Sequence, residues 1–145
     1  MDWKKEAIND LRQHERRKAA LESLHDEILE LKARTYGSTA PSADAVPVQG
    51  GSSTAEERLI SAIDELERKK EAYHIAKRKV DAVERGLATL SSQQRDVLDK
   101  FFVHRAPGHV AALADVYHIE QSQVYRLKEE AVRDFTFARY GVGEL

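Results

Sequence analysis

The chain has 145 residues, with 23 Lys plus Arg against 25 Asp plus Glu, and it contains no Cys. The length fits one ordinary domain, or a small domain with a long helical extension. The lack of Cys excludes disulfides, thiolate zinc sites, iron–sulfur clusters and Cys nucleophiles. No apolar run is long enough to span a membrane, and the N-terminus lacks the apolar stretch of a signal peptide. We therefore expect a cytoplasmic, helical protein without a membrane partner.

The first predicted element is an N-terminal helix over residues 1–36. Its strongest signal is the 3-4-3 spacing of a coiled-coil seam, which is formed by Leu21, Leu24, Ile28 and Leu31. Towards the N-terminus the stripe continues more weakly, with polar residues on it, through Lys18, His14, Leu11, Ala7 and Trp3.

A linker is predicted over residues 37–54. Two of the three Pro and three of the seven Gly lie within or beside this stretch, and most of its other residues are Ser, Thr, Ala, Val and Asp. Such a composition favours irregular structure. A loop of this length inside a compact domain is unusual, so we expect it to join two extended helices or to become ordered on a partner. Residues 37–52 should then tolerate shortening.

A long coiled-coil-like helix is predicted over residues 55–89. Ser53 with Glu56, or Thr54 with Glu57, matches a capping box at its start. One seam position contains Leu59, Leu66, Tyr73, Val80 and Leu87, and the other contains Ala62, Lys69, Ala76, Val83 and Leu90. The stem of Lys69 can lie along the seam while its ammonium group stays in water.

An amphipathic stripe of this kind must be buried, and two partners fit it equally well. The first helix can fold back antiparallel to give a hairpin, or a second copy can pair with it to give a homodimer. The basic clusters at residues 68–70 and 77–79 alternate with carboxylates, so we interpret them as solvated helix faces and not as a phosphate-binding strip.

The last segment, residues 90–145, has the pattern of a helix-turn-helix domain. Ser91 with Gln94 forms a capping box, Pro107 and Gly108 interrupt the helix, and Gly141 ends the last one. Two short helices joined by a tight turn, with a polar outer face on the second, are typical of the motif. The side chains predicted to fill its core are Leu113, Ala114, Tyr117, Ile119, Val124 and Leu127.

The last helix then presents its polar face at its N-terminal end, where a recognition helix meets base edges. The predicted base-contacting residues are Gln121, Ser122, Tyr125 and Arg126. Gln pairs with adenine and Arg with guanine in the major groove. Phosphate contacts are expected from Arg105, Lys128 and Arg133. His118 stands where the turn often needs positive φ, and Glu120 stands at the expected N-cap.

The sequence LSSQQRDVL of residues 90–98, together with residues 112–114 and 119–128, resembles region 4 of bacterial sigma factors. The whole chain resembles the small prophage regulators grouped with ArpU and RinA, including the Val-Gln-containing loop at 46–51 and the ending FTFARYG of residues 135–141. The resemblance implies a phage-encoded transcription regulator that acts on late genes. Glu120 and His118 depart from the usual Ser or Thr and the usual Gly of the family.

The charge balance keeps a second function open. From Ala88 onward there are seven Lys plus Arg against eight Asp plus Glu, whereas autonomous DNA-binding domains usually carry a basic surplus. The alternative is a module that docks on RNA polymerase or on another phage protein without reading double-stranded DNA. We find no nucleophile–base arrangement, so we expect no catalytic residues and no cofactor. His104 and His109 flank the Pro-Gly turn, but no ligand set completes a metal site.

Overall fold

The computed structural model describes residues 1–36 and 52–142, and every secondary-structure element within these ranges is helical. The prediction of an all-α fold is therefore confirmed. In chain order the elements are α1 (Trp3–Tyr36), α2 (Ser52–Ala88), α3 (Ser92–Leu98), a π-helical turn (Asp99–Val103), α4 (His109–Tyr117) and α5 (Gln121–Tyr140). No helix in these ranges combines the length and the apolar character needed to cross a bilayer.

Local sequence explains several helix ends. At the start of α3, Ser91 Oγ accepts from the Gln94 backbone N–H and Gln94 Oε1 accepts from the Ser91 backbone N–H, both at 3.1 Å, which confirms the predicted capping box. Gly141 ends α5 with φ 71°, as predicted. The sequence predicts the start of α2 at Ser53 or Thr54, but the helix begins at Ser52. Residues 37–51 of the predicted linker lie outside the described ranges.

The packing divides the chain into two compact units. The first, called here the terminal unit, consists of Met1–Lys18 and Arg78–Leu145, and the second, the central unit, consists of Ala19–Lys77. The division falls within both long helices, and the predicted domain boundary at residues 89 and 90 stays a prediction. The first turns of α1 and the end of α2 pack in one core with α3 and α5.

In the central unit, α1 and α2 run antiparallel. The rings of His25 and Tyr73 are 6.4 Å apart, and Glu27 Oε2 lies 2.8 Å from Lys69 Nζ. Ile28, Leu31 and Leu66 are buried between the two helices. The heptad pattern predicts Leu59 on the seam, but its exposed fraction is 47%. The register that places His25 beside Tyr73 carries Leu59 past the end of α1, so the prediction for this residue is wrong.

The seam positions proposed for a homodimer are largely covered within one chain. Leu66 and Val80 are buried, and Tyr73 and Leu87 are half-buried. The long helices therefore provide less free apolar surface than the heptad pattern suggests. The homodimer through these helices stays a prediction.

The terminal unit has two apolar clusters. The larger cluster brings together α1, α2, α3 and α5. Its buried residues are Ala7, Leu11, Val83, Leu90, Leu98, Ala131, Val132 and Phe135. The smaller contains Val97, Leu113, Ala114 and Val124. On α5, Thr136 is buried beside Phe135, whereas Ala138 is exposed.

The π-helical turn directs two neighbouring aromatic side chains into different surroundings. Phe101 packs against the smaller cluster, whereas Phe102 packs against the larger one. The extra residue is accommodated by a hydrogen bond from the His104 backbone N–H to the Asp99 carbonyl, at 2.7 Å. The turn thus connects the two cores of the terminal unit.

A buried carboxylate fixes the start of α1 against the end of α5. Asp10 has an exposed fraction of 5% and accepts a hydrogen bond from the Tyr140 hydroxyl. Arg17 Nη1 donates to it at 3.0 Å, and Arg139 Nε lies 3.3 Å away. Burial, together with the hydrogen bond to Asp10, raises the pKa of Tyr140 to about 12. The carboxylate is therefore paired with cations, as a buried charge requires.

Candidate nucleic-acid interface

The α4–turn–α5 segment is supported from below by the smaller apolar cluster. Leu113, Ala114 and Val124 are buried in it, and Tyr117, Ile119 and Leu127 pack against it. The Tyr117 hydroxyl donates to Asp96 Oδ2 at 2.7 Å, which ties the end of α4 to α3. Burial and this hydrogen bond raise the pKa of Tyr117. All six side chains predicted for the core thus lie at or beside one cluster.

The turn between α4 and α5 has a left-handed residue at its centre. His118 has φ 55° and ψ 46°, and the Ile119 backbone N–H donates to the Ala114 carbonyl at 3.0 Å. This six-to-one hydrogen bond is typical of a Schellman motif. At the start of α5 the side chain of Gln123 accepts from the Glu120 backbone N–H at 3.1 Å. Gln123 therefore takes up one of the helix-terminal N–H groups.

The outer face at the N-terminal end of α5 is open to solvent. The four residues predicted to contact bases are exposed: Gln121, Ser122, Tyr125 and Arg126. Arg126 forms no ion pair with any residue in the described ranges. Val124 and Leu127, on the opposite side of the same two turns, hold the helix on the core. The polar face is thus presented on a fixed element.

Aromatic contacts link this face to the π-helical turn. The ring of Phe101 lies 5.9 Å from the ring of Tyr125 and 4.6 Å from that of His109, both edge to face. Edge-to-face pairs of this kind are favourable beyond the area that they bury. His109 is further held by its Nδ1, which lies 2.9 Å from the Ala106 carbonyl oxygen. Tyr125 is therefore braced on one side while remaining 49% exposed.

The three residues predicted to contact phosphates have different surroundings. Arg105 is exposed and has no ion pair with a described residue. Lys128 has a side chain that is only 22% exposed, and its Nζ lies 2.7 Å from Glu129 Oε1 and 5.7 Å from the Phe101 ring centre. Arg133 is exposed, seven residues and about two turns beyond Arg126 on the same face. Arg105 and Arg133 are thus more accessible than Lys128.

One contact on α5 has no counterpart among the sequence predictions. Glu129 Oε2 lies 2.6 Å from Nζ of Lys4, at the start of α1, while its other oxygen meets Lys128. The hydrogen bonds from Lys128 and Lys4 lower the pKa of Glu129 to about 2. The two partners are 125 residues apart in the chain, and no local pattern indicates such a pair. The carboxylate beside the predicted recognition face is therefore flanked by two cations.

The charge of the two units differs in sign. By sequence, the terminal unit contains 16 Lys plus Arg against 14 Asp plus Glu, whereas the central unit contains 7 against 11. Residues 88–145 alone have a net charge of -1, so the positive surplus of the terminal unit comes from its parts of α1 and α2. The helix-turn-helix segment therefore sits in a unit that is more basic than the segment itself.

The histidines beside the Pro-Gly turn have protein partners. His104 Nδ1 lies 2.6 Å from Asp99 Oδ1 and its Nε2 lies 3.5 Å from Glu15 Oε1. In the described ranges no group of three or more His, Asp or Glu side chains is arranged to hold a metal ion.

Comparison of the chain with known protein families, with curated proteins and with solved structures finds no match.

Proposed function

We propose that this protein is a sequence-specific DNA-binding transcription regulator, encoded by a phage and acting on late genes, in which α5 enters the major groove of double-stranded DNA. The observation that carries the proposal is the exposed face of Gln121, Ser122, Tyr125 and Arg126 at the first turns of a helix held on a core. A recognition helix meets base edges with these first turns. Gln and Arg side chains supply bidentate hydrogen bonds to adenine and guanine.

The second candidate is a module that docks on RNA polymerase or another phage protein. Two observations favour it. Residues 88–145 have no basic surplus, and Val116 on α4 is 64% exposed. An exposed aliphatic side chain suits a protein surface better than a phosphate backbone.

Binding-site selection from random duplex DNA tests the first candidate, with and without purified RNA polymerase. On the selected site, Arg126→Ala should cost about 1–3 kcal/mol of binding free energy and relax the preference at one base pair. Arg105→Gln should weaken all sequences equally, because a phosphate contact carries no sequence information. Arg68→Ala is a matched control, since Arg68 is exposed in the central unit.

The two candidates predict opposite results for Arg126. Suppose that Arg126→Ala keeps the melting temperature of the parent protein and the full sequence preference. The face of α5 then does not read DNA, and binding measured only when polymerase is present supports the docking function.

A further inference from the structure

The first turns of α1 carry a basic stripe on their solvent side. Lys5, Asn9, Arg12 and Arg16 are spaced by four, three and four residues, and all four are exposed. This spacing places them on one face of the helix. The buried residues of the same turns, Ala7, Leu11 and His14, lie on other sides of the helix. The stripe therefore lies on the solvent side of α1, away from these buried residues.

The cations of this stripe are not neutralised. Lys5, Arg12 and Arg16 form no ion pair with any residue within 1–36 or 52–142. Two carboxylates of α1 near the stripe are engaged elsewhere: Asp10 is buried with Arg17, and Glu15 lies 3.4 Å from Lys18. The stripe thus keeps its positive charge, unlike Lys4, which pairs with Glu129.

Two sets of contacts place the stripe beside α5. The Arg12 guanidinium carbon lies 5.7 Å from the Phe102 ring centre, the rings of Phe102 and Phe101 are 6.0 Å apart, and Phe101 lies 5.9 Å from Tyr125. At its other end, Lys5 directly follows Lys4, which contacts Glu129, one turn beyond Tyr125. All of these residues belong to the terminal unit.

We infer that Lys5, Arg12 and Arg16, with Asn9, form a second strip that contacts the phosphates of the same DNA duplex that α5 reads. The inference rests on the proposed function, since it assigns further contacts to the same complex. From Lys5 to Arg16 the helix rises by eleven steps, about 16 Å, which matches roughly five base pairs at 3.4 Å each. Lys4 contributes indirectly: it pairs with Glu129, whose negative charge would otherwise repel the DNA phosphates.

The strip also accounts for the charge distribution. Phosphate neutralisation supplies most of the non-specific affinity for DNA, and residues 88–145 have too few cations to supply it alone. The first 18 residues contain six Lys plus Arg against four Asp plus Glu. We therefore assign part of the electrostatic contact to α1 and not to the helix-turn-helix.

The test is the salt dependence of binding to a labelled duplex of mixed sequence, measured by fluorescence anisotropy. The triple variant Lys5→Gln, Arg12→Gln, Arg16→Gln should lower the slope of log K against log salt by about 2.7, at about 0.9 per phosphate contact. Between about 50 and 200 mM salt, the variant should therefore lose about 40-fold less affinity than the parent protein.

The matched control removes the same charge from exposed residues of the central unit: Lys32→Gln, Arg34→Gln, Arg68→Gln. It should leave the slope unchanged. Because Arg12 packs on Phe102, the double variant Lys5→Gln, Arg16→Gln is measured as well, and its slope should fall by about 1.8. Melting curves are recorded to check that each variant is folded.

Other outcomes overturn the inference. If the triple variant and the control have the same slope, α1 does not contact DNA; the proposed function still stands if Arg126→Ala loses sequence preference on the site found by binding-site selection. If the triple variant binds DNA normally but loses binding to polymerase, the strip is a protein-docking surface. If the parent protein binds no DNA in the assay, the inference and the proposed function fail together.

Discussion

His118 is the one residue other than Gly with positive φ in the described ranges. A side chain in the left-handed region costs roughly 1–2 kcal/mol, although His adopts it more readily than β-branched residues do. The turn between α4 and α5 needs this conformation, because the Ile119 backbone N–H reaches the Ala114 carbonyl only when the chain reverses here. The strain is thus built into the turn that sets the angle of α5.

Relieving this strain should stabilise the protein. We expect His118→Gly to raise the free energy of unfolding by up to about 1 kcal/mol, since the strain relieved exceeds the entropy that Gly adds to the unfolded chain. His118→Val should lower it by at least about 1 kcal/mol. Gly141→Ala is the control in the opposite direction. Gly141 has φ 71° and open space around its Cα, so this change introduces backbone strain without a steric clash. Urea unfolding measures all three, and a destabilised His118→Gly would show that the His side chain has a role of its own.

His14 is a buried imidazole whose charge is suppressed. Its exposed fraction is 4%, and its Nδ1 has no hydrogen-bond partner among the described residues. Burial lowers its pKa from 6.5, and Lys18 and Arg17 act in the same direction while Glu84 and Glu15 oppose it. The folded protein therefore binds a proton at this site less readily than the unfolded chain does.

Because the pKa of His14 is lowered on folding, the free energy of unfolding should fall in mildly acidic solution. Because the pKa of His14 is lower in the folded state, its contribution is fully present above pH 6.5 and is lost as the pH falls towards the folded value. The slope should reach at most about 1.4 kcal/mol per pH unit. In His14→Leu the slope between neutral and mildly acidic pH should flatten, whereas His118→Gln, at an exposed site, should retain it. An unchanged slope in His14→Leu would assign the effect to another group.

At the scale of the elements, Gly86 on α2 packs against the ring of Phe135 on α5. A Cβ at Gly86 would lie 2.9 Å from Cε1 of Phe135, which has an exposed fraction of 0%. Gly86→Ala should therefore destabilise the protein by about 1–3 kcal/mol through overpacking, although Ala is the better helix former by about 1 kcal/mol.

A double-mutant cycle separates overpacking from other causes. Phe135→Leu alone should destabilise the protein, because it leaves space in the larger cluster. In the combination with Gly86→Ala the added methyl has room, so the double variant should be more stable than the sum of the two single changes predicts. Additive free energies of unfolding, measured by thermal melting, would show that the two residues do not clash.

The helices could be predicted from the sequence because apolar periodicity and capping residues are local signals. Ser91 with Gln94, and Gly141, act on neighbours within one turn, and the structure places them as expected. The π-helical turn at Asp99–Val103 has no such signal. Within this turn Phe101 and Phe102 pack against different clusters. This packing depends on tertiary structure, so no local pattern predicts it.

The candidate interface also combines residues that the sequence alone predicts with contacts that it does not. The exposed face of α5 follows from its helical period, so the sequence alone is enough to predict that Gln121 and Arg126 lie on it. The contacts of Lys4 and of the α1 stripe have no such signal, since Lys4 meets Glu129 across 125 residues of the chain and Arg12 meets Phe102 across 90. The sequence pattern also predicts that Lys128 is available to contact phosphate. In the structure its ammonium group instead lies close to Glu129 and to the ring of Phe101.

At the scale of the molecule, the helix-turn-helix is not a separate body. The larger cluster contains Ala7 and Leu11 from α1 and Val83 from α2, each with an exposed fraction of 0%. Their partners on α3 and α5 include Leu98 and Phe135, which are also fully buried. A fragment of residues 90–145 would expose these partners to water, so the predicted DNA-binding domain lacks part of its own core.

We therefore expect the fragment 90–145 to have little tertiary structure, because its remaining core cannot offset the entropy of folding. Near-ultraviolet circular dichroism and amide hydrogen exchange should show weak packing and low protection. Adding a peptide of residues 1–18 to a fragment of residues 78–145 should restore both, since together they contain every residue of the two clusters.

Point variants in the full chain give the matching control. Leu11→Ala should destabilise the protein by about 2–5 kcal/mol and lower the exchange protection of α3 and α5, because it opens a cavity in their shared core. Leu66→Ala, equally buried but in the central unit, should leave the protection of α5 unchanged. If fragment 90–145 instead melts cooperatively and at the temperature of the full chain, the helix-turn-helix folds alone, and α1 contributes contacts without supporting the fold.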